Sequence, residues 1–406
     1  MVKIAILGFG TVGSGVAEVL TGHEQHIADK LKDLIQLKYI LDVRDFPGSP
    51  FASRFVKDFS VIENDPEVDI VVETIGGATV ALDFTRRALK AGKSVVSSNK
   101  ELVATHGYEL LQLAKEKNVS YLFEASVGGG IPILRPLSQC LAANEILEIR
   151  GILNGTTNYI LTRMIRAGLA FDAALKEAQE KGYAERDPSA DIEGHDACRK
   201  ICILSAIAFG RHIYPDQVPT EGITGVTLAD VAYADAAGKK IKLLGRAFRD
   251  RENGRVCAYV APHLVDGENP LAGVEDVFNA ITVIGDATGD VMFYGKGAGK
   301  YPTASAVVAD VIDAAKHLKA RKYLDWGPGG EDAAEGVDGL QSRWYVRVRE
   351  EAGPALPERL AVDRFLARPG APAGETAFLT LVPLTRGELE EKLAGLEVLS
   401  AFRVLE

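Results

Sequence analysis

The run VKIAILG at residues 2–8 leads directly into a turn reading GFGTVGSG and then into the helix-forming VAEVL. A continuous apolar run is what a parallel strand covered on both faces requires. The turn sets Gly8, Gly10 and Gly13 at the spacing G-x-G-x-x-G. Gly8 permits the tight turn, Gly10 lets a pyrophosphate approach the backbone, and Gly13 lets helix and strand pack closely. Thr11 and Val12 lie at the helix start, whose free N–H groups and positive dipole end attract phosphate. The pattern predicts a dinucleotide site built on Gly8, Gly10, Thr11, Val12 and Gly13.

The same alternation of strand-like and helix-like stretches continues through VDIVVETIGG, TVALDFTRRALKAGK, SVVSSNK, ELVATHGYELLQLAKEKN and VSYLFEAS. It predicts an α/β fold, a Rossmann-like doubly wound parallel sheet, over residues 1–133. Ligands of such sheets sit beyond the carboxyl ends of the strands. Thr74, Gly76 and Ser98 are therefore expected to line the nicotinamide side, with Lys100 projecting toward it. After the second strand, in YILDVRDF, Asp42 suits an NAD ribose hydroxyl and Arg44 the 2′-phosphate of NADP. Both readings stand beside that of a solvated charged turn.

Length and charge bound the remaining choices. A chain of 406 residues is long enough for two or three domains. Its formal net charge of −10 argues against nucleic acid or an anionic membrane as partner. No apolar run reaches the ~20 residues that span a bilayer, and the start carries no signal-peptide pattern. The four cysteines form no disulfide framework. A cytoplasmic protein is expected.

From residue 134 the pattern changes. EILEIRGILNG reads as a strand closing on a turn, and TTNYILTRMIRAG as a helix capped by Thr156 or Thr157 and ended by Gly168. A second helix runs to Gly182. The stretch AERDPSADIEGHDACRK then packs eight charged side chains into seventeen positions before the apolar ICILSAIAFG. A helix from residues 191–194 to Gly210 puts Asp196, Lys200, Ile203 and Ile207 on one face. Lys200 thus lies on a helix heading into a core, where a charge pair is costly unless it serves a site.

Taken in order, GFGTVGSG, VVETIGG, VVSSNKELVATHG, FEASVGGGIPIL, GILNGTTNYILT, EKGYAERDPSADIEGHDACRKICILS and GDVMFYGKGAGKYPTASAVVADVID resemble the homoserine dehydrogenase family over roughly residues 1–320. The resemblance implies reversible NAD(P)H-dependent reduction of L-aspartate 4-semialdehyde to L-homoserine, on the route to threonine, methionine and isoleucine. It implies catalytic roles for Lys100, Lys200, Glu185 and Asp196. Substrate contacts fall on Gly155, Thr156, Tyr183 and Asp191, and a nicotinamide approach on Gly297, where a plain turn into a helix is the alternative. Lys100 and Lys200 are expected to face each other across the substrate, and either can carry the proton. Glu185 and Asp191 are expected to hold the substrate ammonium, and Asp196 to hold Lys200. The resemblance also implies a monovalent cation, Na+ or K+, held by the Glu124 carboxylate or backbone with the carbonyls of Val127, Gly129 and Ile131; a simple interdomain turn is the alternative. A dimer or tetramer is implied, with IPILRPLSQCLAANEILEI as a candidate interface.

The expected organisation is a dinucleotide domain at 1–133 completed by about 296–320, a substrate and dimerisation domain at 134–295, a linker at 321–342, and a small α+β module at 343–406. The last resembles a shortened ACT domain reading strand, strand, strand, helix, strand, with AGPALPERL in place of the usual first helix. Its role stands open between threonine control and dimer support. Another amino-acid dehydrogenase would share the dinucleotide domain but lack the segment from GYAERDP to DACRK, and a non-catalytic dinucleotide sensor could dispense with Lys100 and Lys200.

Overall fold

The computed structural model describes residues 1–250, 254–318, 324–349, 356–371 and 374–405. Six parallel strands open it: β1 (Val2–Leu7), β2 (Ile35–Leu41), β3 (Phe55–Val56), β4 (Ile70–Glu73), β5 (Ser94–Ser97) and β6 (Tyr121–Leu122). Their order, β3-β2-β1-β4-β5-β6, is that of a doubly wound dinucleotide fold, with its ligand crevice where the order reverses beside β1. The strands are short and apolar because helices cover both faces; Ile4, Ile6, Val71, Val72, Val95 and Val96 are fully buried. Two of those helices are α1 (Thr11–Gly22) and α2 (Lys100–Lys117). Lys100 is therefore the first residue of a helix, behind an Asn99 cap whose side chain accepts from the Leu102 N–H.

A second sheet has ten strands. Antiparallel pairing joins β7 (Ile146–Ile152), β8 (Lys239–Arg249), β9 (Val256–Asp266), β10 (Phe278–Gly285) and β11 (Gly289–Lys296) in the order β11-β10-β7-β8-β9. Helices α3 (Gly155–Ala167), α4 (His195–Phe209) and α5 (Leu228–Ala236) belong to this half, where Ile201, Ile203 and Leu204 of α4 enter the main core. Within the candidate interface stretch at 131–149, Ile131, Ile133, Leu134, Leu137, Leu141, Ile146 and Ile149 are buried inside the chain. Helix α6 (Lys300–Lys316) then returns to the first sheet. It packs so closely on α1 that a methyl group at Gly15 would lie 2.9 Å from the Lys300 side chain.

The C-terminal strands follow the expected order of strand, strand, strand, helix, strand and extend the second sheet. The strands β13 (Trp344–Arg349), β14 (Val362–Leu366), β15 (Glu375–Thr380) and β16 (Val398–Leu405) continue the second sheet, because β16 pairs in parallel with β9. A four-residue helix, Leu356–Arg359, precedes β14. Residues 350–355, 372, 373 and 406 of the expected module, 321–323 of the expected linker, and 319–320 at the end of the expected dinucleotide domain lie outside the described residues. The rest of the 321–342 stretch is docked rather than free. Trp326 is buried, stacks edge-on against Phe123 at 5.6 Å and donates to His212 at 3.0 Å. The short strand β12 (Ala334–Glu335) pairs with β9.

An ionic cluster ties the tail to α5. Asp230, fully buried, accepts from Arg347 at 2.8 Å, from Tyr345 at 3.0 Å and from Ser400, while Arg347 also reaches Glu375 at 2.9 Å. Removing one partner of such a pair leaves an uncompensated charge. Arg347→Met is therefore expected to destabilise the protein by about 3–5 kcal/mol, read as a lowered urea midpoint; an unchanged midpoint would show that the tail does not depend on this cluster.

Candidate active site

The glycine turn has the geometry its spacing requires. Gly8 has φ +89°, a region that disfavours side chains, and a methyl group on Gly13 would lie 1.9 Å from the Gly8 carbonyl oxygen. Gly10 has open space where a Cβ would be, and it caps α1 without any side-chain hydrogen bond. The helix start at Thr11, Val12 and Gly13 thus has no side chain capping its N–H groups, which fits a pyrophosphate. Thr74 donates to the Leu7 and Gly8 carbonyls at 2.9 Å, tying the β4 end to the turn. Gly76 is exposed beyond it, and the Ser98 N–H donates to the Glu73 carbonyl at 3.2 Å.

Asp42 and Arg44 pair with each other. One Asp42 oxygen accepts from the Phe9 N–H at 2.7 Å, and both accept from the Arg44 guanidinium at 3.0 and 3.1 Å. Arg44 holds the Asp42 carboxyl down at about 2. The guanidinium lies over Phe46 at 5.2 Å with its side chain 59% exposed, so it can turn from Asp42 to an incoming anion.

Three of the four catalytic candidates, Lys100, Lys200 and Asp196, meet at the Asp196 carboxylate, and Glu185 stands apart from them. Asp196, in the first turn of α4, binds Lys200 one turn on through Oδ2 at 2.7 Å, and Lys100 from α2 through Oδ1 at 2.7 Å. The lysines therefore meet on opposite oxygens of a shared carboxylate, from different helices. Asp196 and Lys200 side chains are 5% and 10% exposed, whereas Lys100 is 41% exposed. Lys200 also donates to the Leu153 carbonyl at 2.7 Å. An ammonium has three donors, so one remains for a substrate.

These environments separate the two lysines. Burial lowers the Lys200 pKa, and the positive charge of Lys100 lowers it further, against the opposing effect of Asp196. For Lys100 burial also opposes the charge, but Asp196 outweighs it and the pKa is raised. Asp196, despite burial, is held below the usual carboxylate range by the two lysines. Asp191 is raised, first by burial and then by the charge of Asp196.

Asn154 organises this cluster and was not singled out from the sequence. Its carbonyl oxygen caps α3 by accepting from Thr157 N–H at 2.8 Å, displacing the expected Thr156 or Thr157 cap. Its amide donates to Asp191 at 2.7 Å and to Asp196 at 2.8 Å. The signal was available, since asparagine ahead of a helix outranks threonine as a cap. Thr156 donates to the Tyr183 carbonyl at 2.8 Å, and the Tyr183 ring, half exposed, meets Tyr159 edge-on at 5.0 Å. Glu185 is exposed on the loop that follows, and among the described residues its carboxylate has no hydrogen bond or ion pair. Gly155 and Gly297 both border Asn279: a methyl group at Gly297 would lie 2.2 Å from the Asn279 side chain, and one at Gly155 would lie 3.5 Å from its oxygen.

The FEASVGGGIPIL loop corrects one part of the cation reading. The Glu124 carboxylate is occupied by the backbone N–H groups of Ile133, Leu134 and Arg135 at 2.6–2.8 Å. It pins the loop instead of facing an ion. Among the described residues, no hydrogen bond engages the carbonyls of Val127, Gly129 or Ile131.

Comparison with known proteins identifies the family. The family model for homoserine dehydrogenase matches residues 132–312, and that for the homoserine dehydrogenase NAD binding domain matches residues 8–124. A homoserine dehydrogenase of Pseudomonas aeruginosa is 39% identical over 368 residues, covering 89% of this chain and 84% of that protein. One from Synechocystis is 45% identical over 320 residues, covering 77% and 73%. A crystal structure of a homoserine dehydrogenase from Thiobacillus denitrificans superposes with TM-score 0.90 at 34% identity, covering 100% of this chain and 98% of that one. A hyperthermophilic archaeal homoserine dehydrogenase in complex with NADPH matches with TM-score 0.67 at 29% identity over 80% of this chain and 99% of that one.

The Asp42–Arg44 pair generates a test of cofactor choice. Arg44→Ala is expected to raise the KM for NADPH by about tenfold, the loss of one charge-assisted phosphate contact, while changing that for NADH little. Equal effects on both cofactors would remove Arg44 from the 2′-phosphate site.

Proposed function

The chain belongs to the homoserine dehydrogenase family and catalyses the reversible NAD(P)H-dependent reduction of L-aspartate 4-semialdehyde to L-homoserine; on that premise we propose that Lys200 moves the proton while Lys100 stays charged. The cofactor supplies or accepts the hydride at the aldehyde carbon. In the reductive direction Lys200 Nζ, with one donor left over from Leu153 and Asp196, protonates the alkoxide oxygen as it forms. In the oxidative direction neutral Lys200 takes that proton back. Lys100, kept charged by Asp196, supplies positive potential at the same oxygen. The observation that carries this division is the shared Asp196 carboxylate, with one lysine sequestered on it and the other half exposed.

The rest of the substrate calls for opposite charges at its two ends. We assign Asp191, beside Asn154, and exposed Glu185 to the ammonium, with Gly155, Thr156 and Tyr183 shaping the pocket between them. The three unengaged carbonyls of Val127, Gly129 and Ile131 suit a hard monovalent cation, Na+ or K+, which would brace the loop between the two sheets. We further propose a cytoplasmic homo-oligomer. Among the described residues no helix is long and apolar enough to cross a membrane. Strand β11, with Met292 40% and Tyr294 54% exposed at one edge of the second sheet, offers a subunit contact.

Lys200→Ala is expected to lower kcat by about 10²–10⁴-fold in both directions, the usual worth of a general acid–base; full turnover would overturn the assignment. The pH dependence has a definite sign. Homoserine oxidation needs neutral Lys200, so its rate rises with pH up to the Lys200 pKa, which lies below that of a free lysine. Lys100→Met removes a positive charge that lowers that pKa, so the rising limb is expected to move to higher pH. A limb that stays in place would assign the titration elsewhere.

A further inference from the structure

Behind the nicotinamide-side loops lies a carboxylate that the reaction as described does not use. Glu73, the last residue of β4, is fully buried, and among the described residues it makes no ion pair. Its partners are neutral: Oε1 accepts from the Ile75 N–H at 2.7 Å and Oε2 from the Ser97 hydroxyl at 2.6 Å. Burial pushes its carboxyl up to about 7 against the bonds from Ser97, Ile75 and Asn99. The buried Tyr121 hydroxyl on β6 feels the same charge, its pKa raised first by burial and then by Glu73. A lone charge in such surroundings is expensive, and groups of this kind cluster where a site requires them.

The bonds beyond Glu73 lead to a reacting residue. Ser97 Oγ accepts from the Asn99 N–H at 3.0 Å. The Asn99 amide donates to the carbonyls of Ile75 at 3.0 Å and Gly77 at 2.6 Å, and its oxygen caps α2 at Leu102 N–H. Lys100 is the next residue, and its ammonium reaches Asp196. One carboxylate thus fixes the loops after β4 and β5 and the first turn of the helix that carries Lys100.

We propose that Glu73 is a positioning residue for the reaction: through Ser97 and Asn99 it sets the start of α2 so that Lys100 meets Asp196 and the substrate oxygen. The chemistry demands a carboxylate. The buried Ser97 hydroxyl needs an acceptor for its proton, and the Ile75 N–H needs a second one. A carboxylate supplies both, whereas a glutamine has one acceptor oxygen and turns an NH2 group toward Ser97. Glu73→Gln keeps the shape while reversing the bond that holds Ser97 and Asn99.

The inference rests on the role given above to Lys100, and a double-mutant cycle separates the two. kcat for homoserine oxidation is measured in the wild type, Glu73→Gln, Lys100→Met and the double variant, with melting temperature and NADPH Kd recorded for each. Glu73→Gln is expected to lower kcat by about tenfold, the scale of a small displacement of a reacting group, with NADPH Kd little changed. In the Lys100→Met background the same change is expected to cost less than about twofold, because the residue it positions is gone. Ser97→Ala, which breaks the next link, is expected to show the same dependence on Lys100 and serves if Glu73→Gln does not fold. Equal losses in both backgrounds, or none in either, would overturn the role of Glu73 while leaving Lys100 intact. Full turnover in Lys100→Met would instead overturn the reading of Lys100 and this proposal with it.

Discussion

The site depends on a buried carboxylate held between two ammonium groups. Asp196 binds Lys200 along its own helix and Lys100 from another helix, both at 2.7 Å. A lone carboxylate in that position would be prohibitively desolvated, and two lysines without it would repel each other. Together they form a cluster that sets different proton affinities for two chemically identical side chains. Because Lys100 lies in the NAD-binding domain and Lys200 in the second half of the chain, the same contact joins the two halves.

Neighbouring groups hold this cluster in place. Asn154 joins Asp191 and Asp196 while capping α3, and the Leu153 carbonyl takes a second proton of Lys200. On the opposite side, Asn99 caps α2 immediately before Lys100. Both asparagines cap a helix with their carbonyl; the Asn154 amide holds Asp191 and Asp196, and the Asn99 amide holds the Ile75 and Gly77 carbonyls of the loop after β4. An amide can do this because it carries donor and acceptor on one rigid group.

Much of the site was legible because its signals are local. The glycine turn after β1 needs only the spacing of Gly8, Gly10 and Gly13. The Asp196–Lys200 pair needs only the four-residue period of a helix, and the buried face of α4 follows from its apolar run. Lys100 was legible from its place at a strand end, and its partnership with Asp196 was not, since it crosses from one helix to another. The use of Glu124 to hold three backbone N–H groups was equally hidden, because an acidic residue before a glycine-rich turn reads the same whether it faces an ion or the chain. The tail strands were visible as strands, yet the parallel pairing of β16 with β9 joins residues about 140 apart in sequence and has no local signature. Burial of Trp326 in a stretch rich in glycine and acid was hidden for the same reason.

The most direct measurement is the titration of Lys200 itself, followed by NMR of protein labelled at the lysine side-chain carbons, with Lys200→Arg supplying the assignment. The account predicts that Lys200 titrates below the free-lysine value of about 10.4, and lower still in Asp196→Asn, where the charge that favours its protonated form is gone. A Lys200 that titrates at the free value, or that does not respond to Asp196→Asn, would contradict the claim that this carboxylate sets the proton affinity on which the reaction turns.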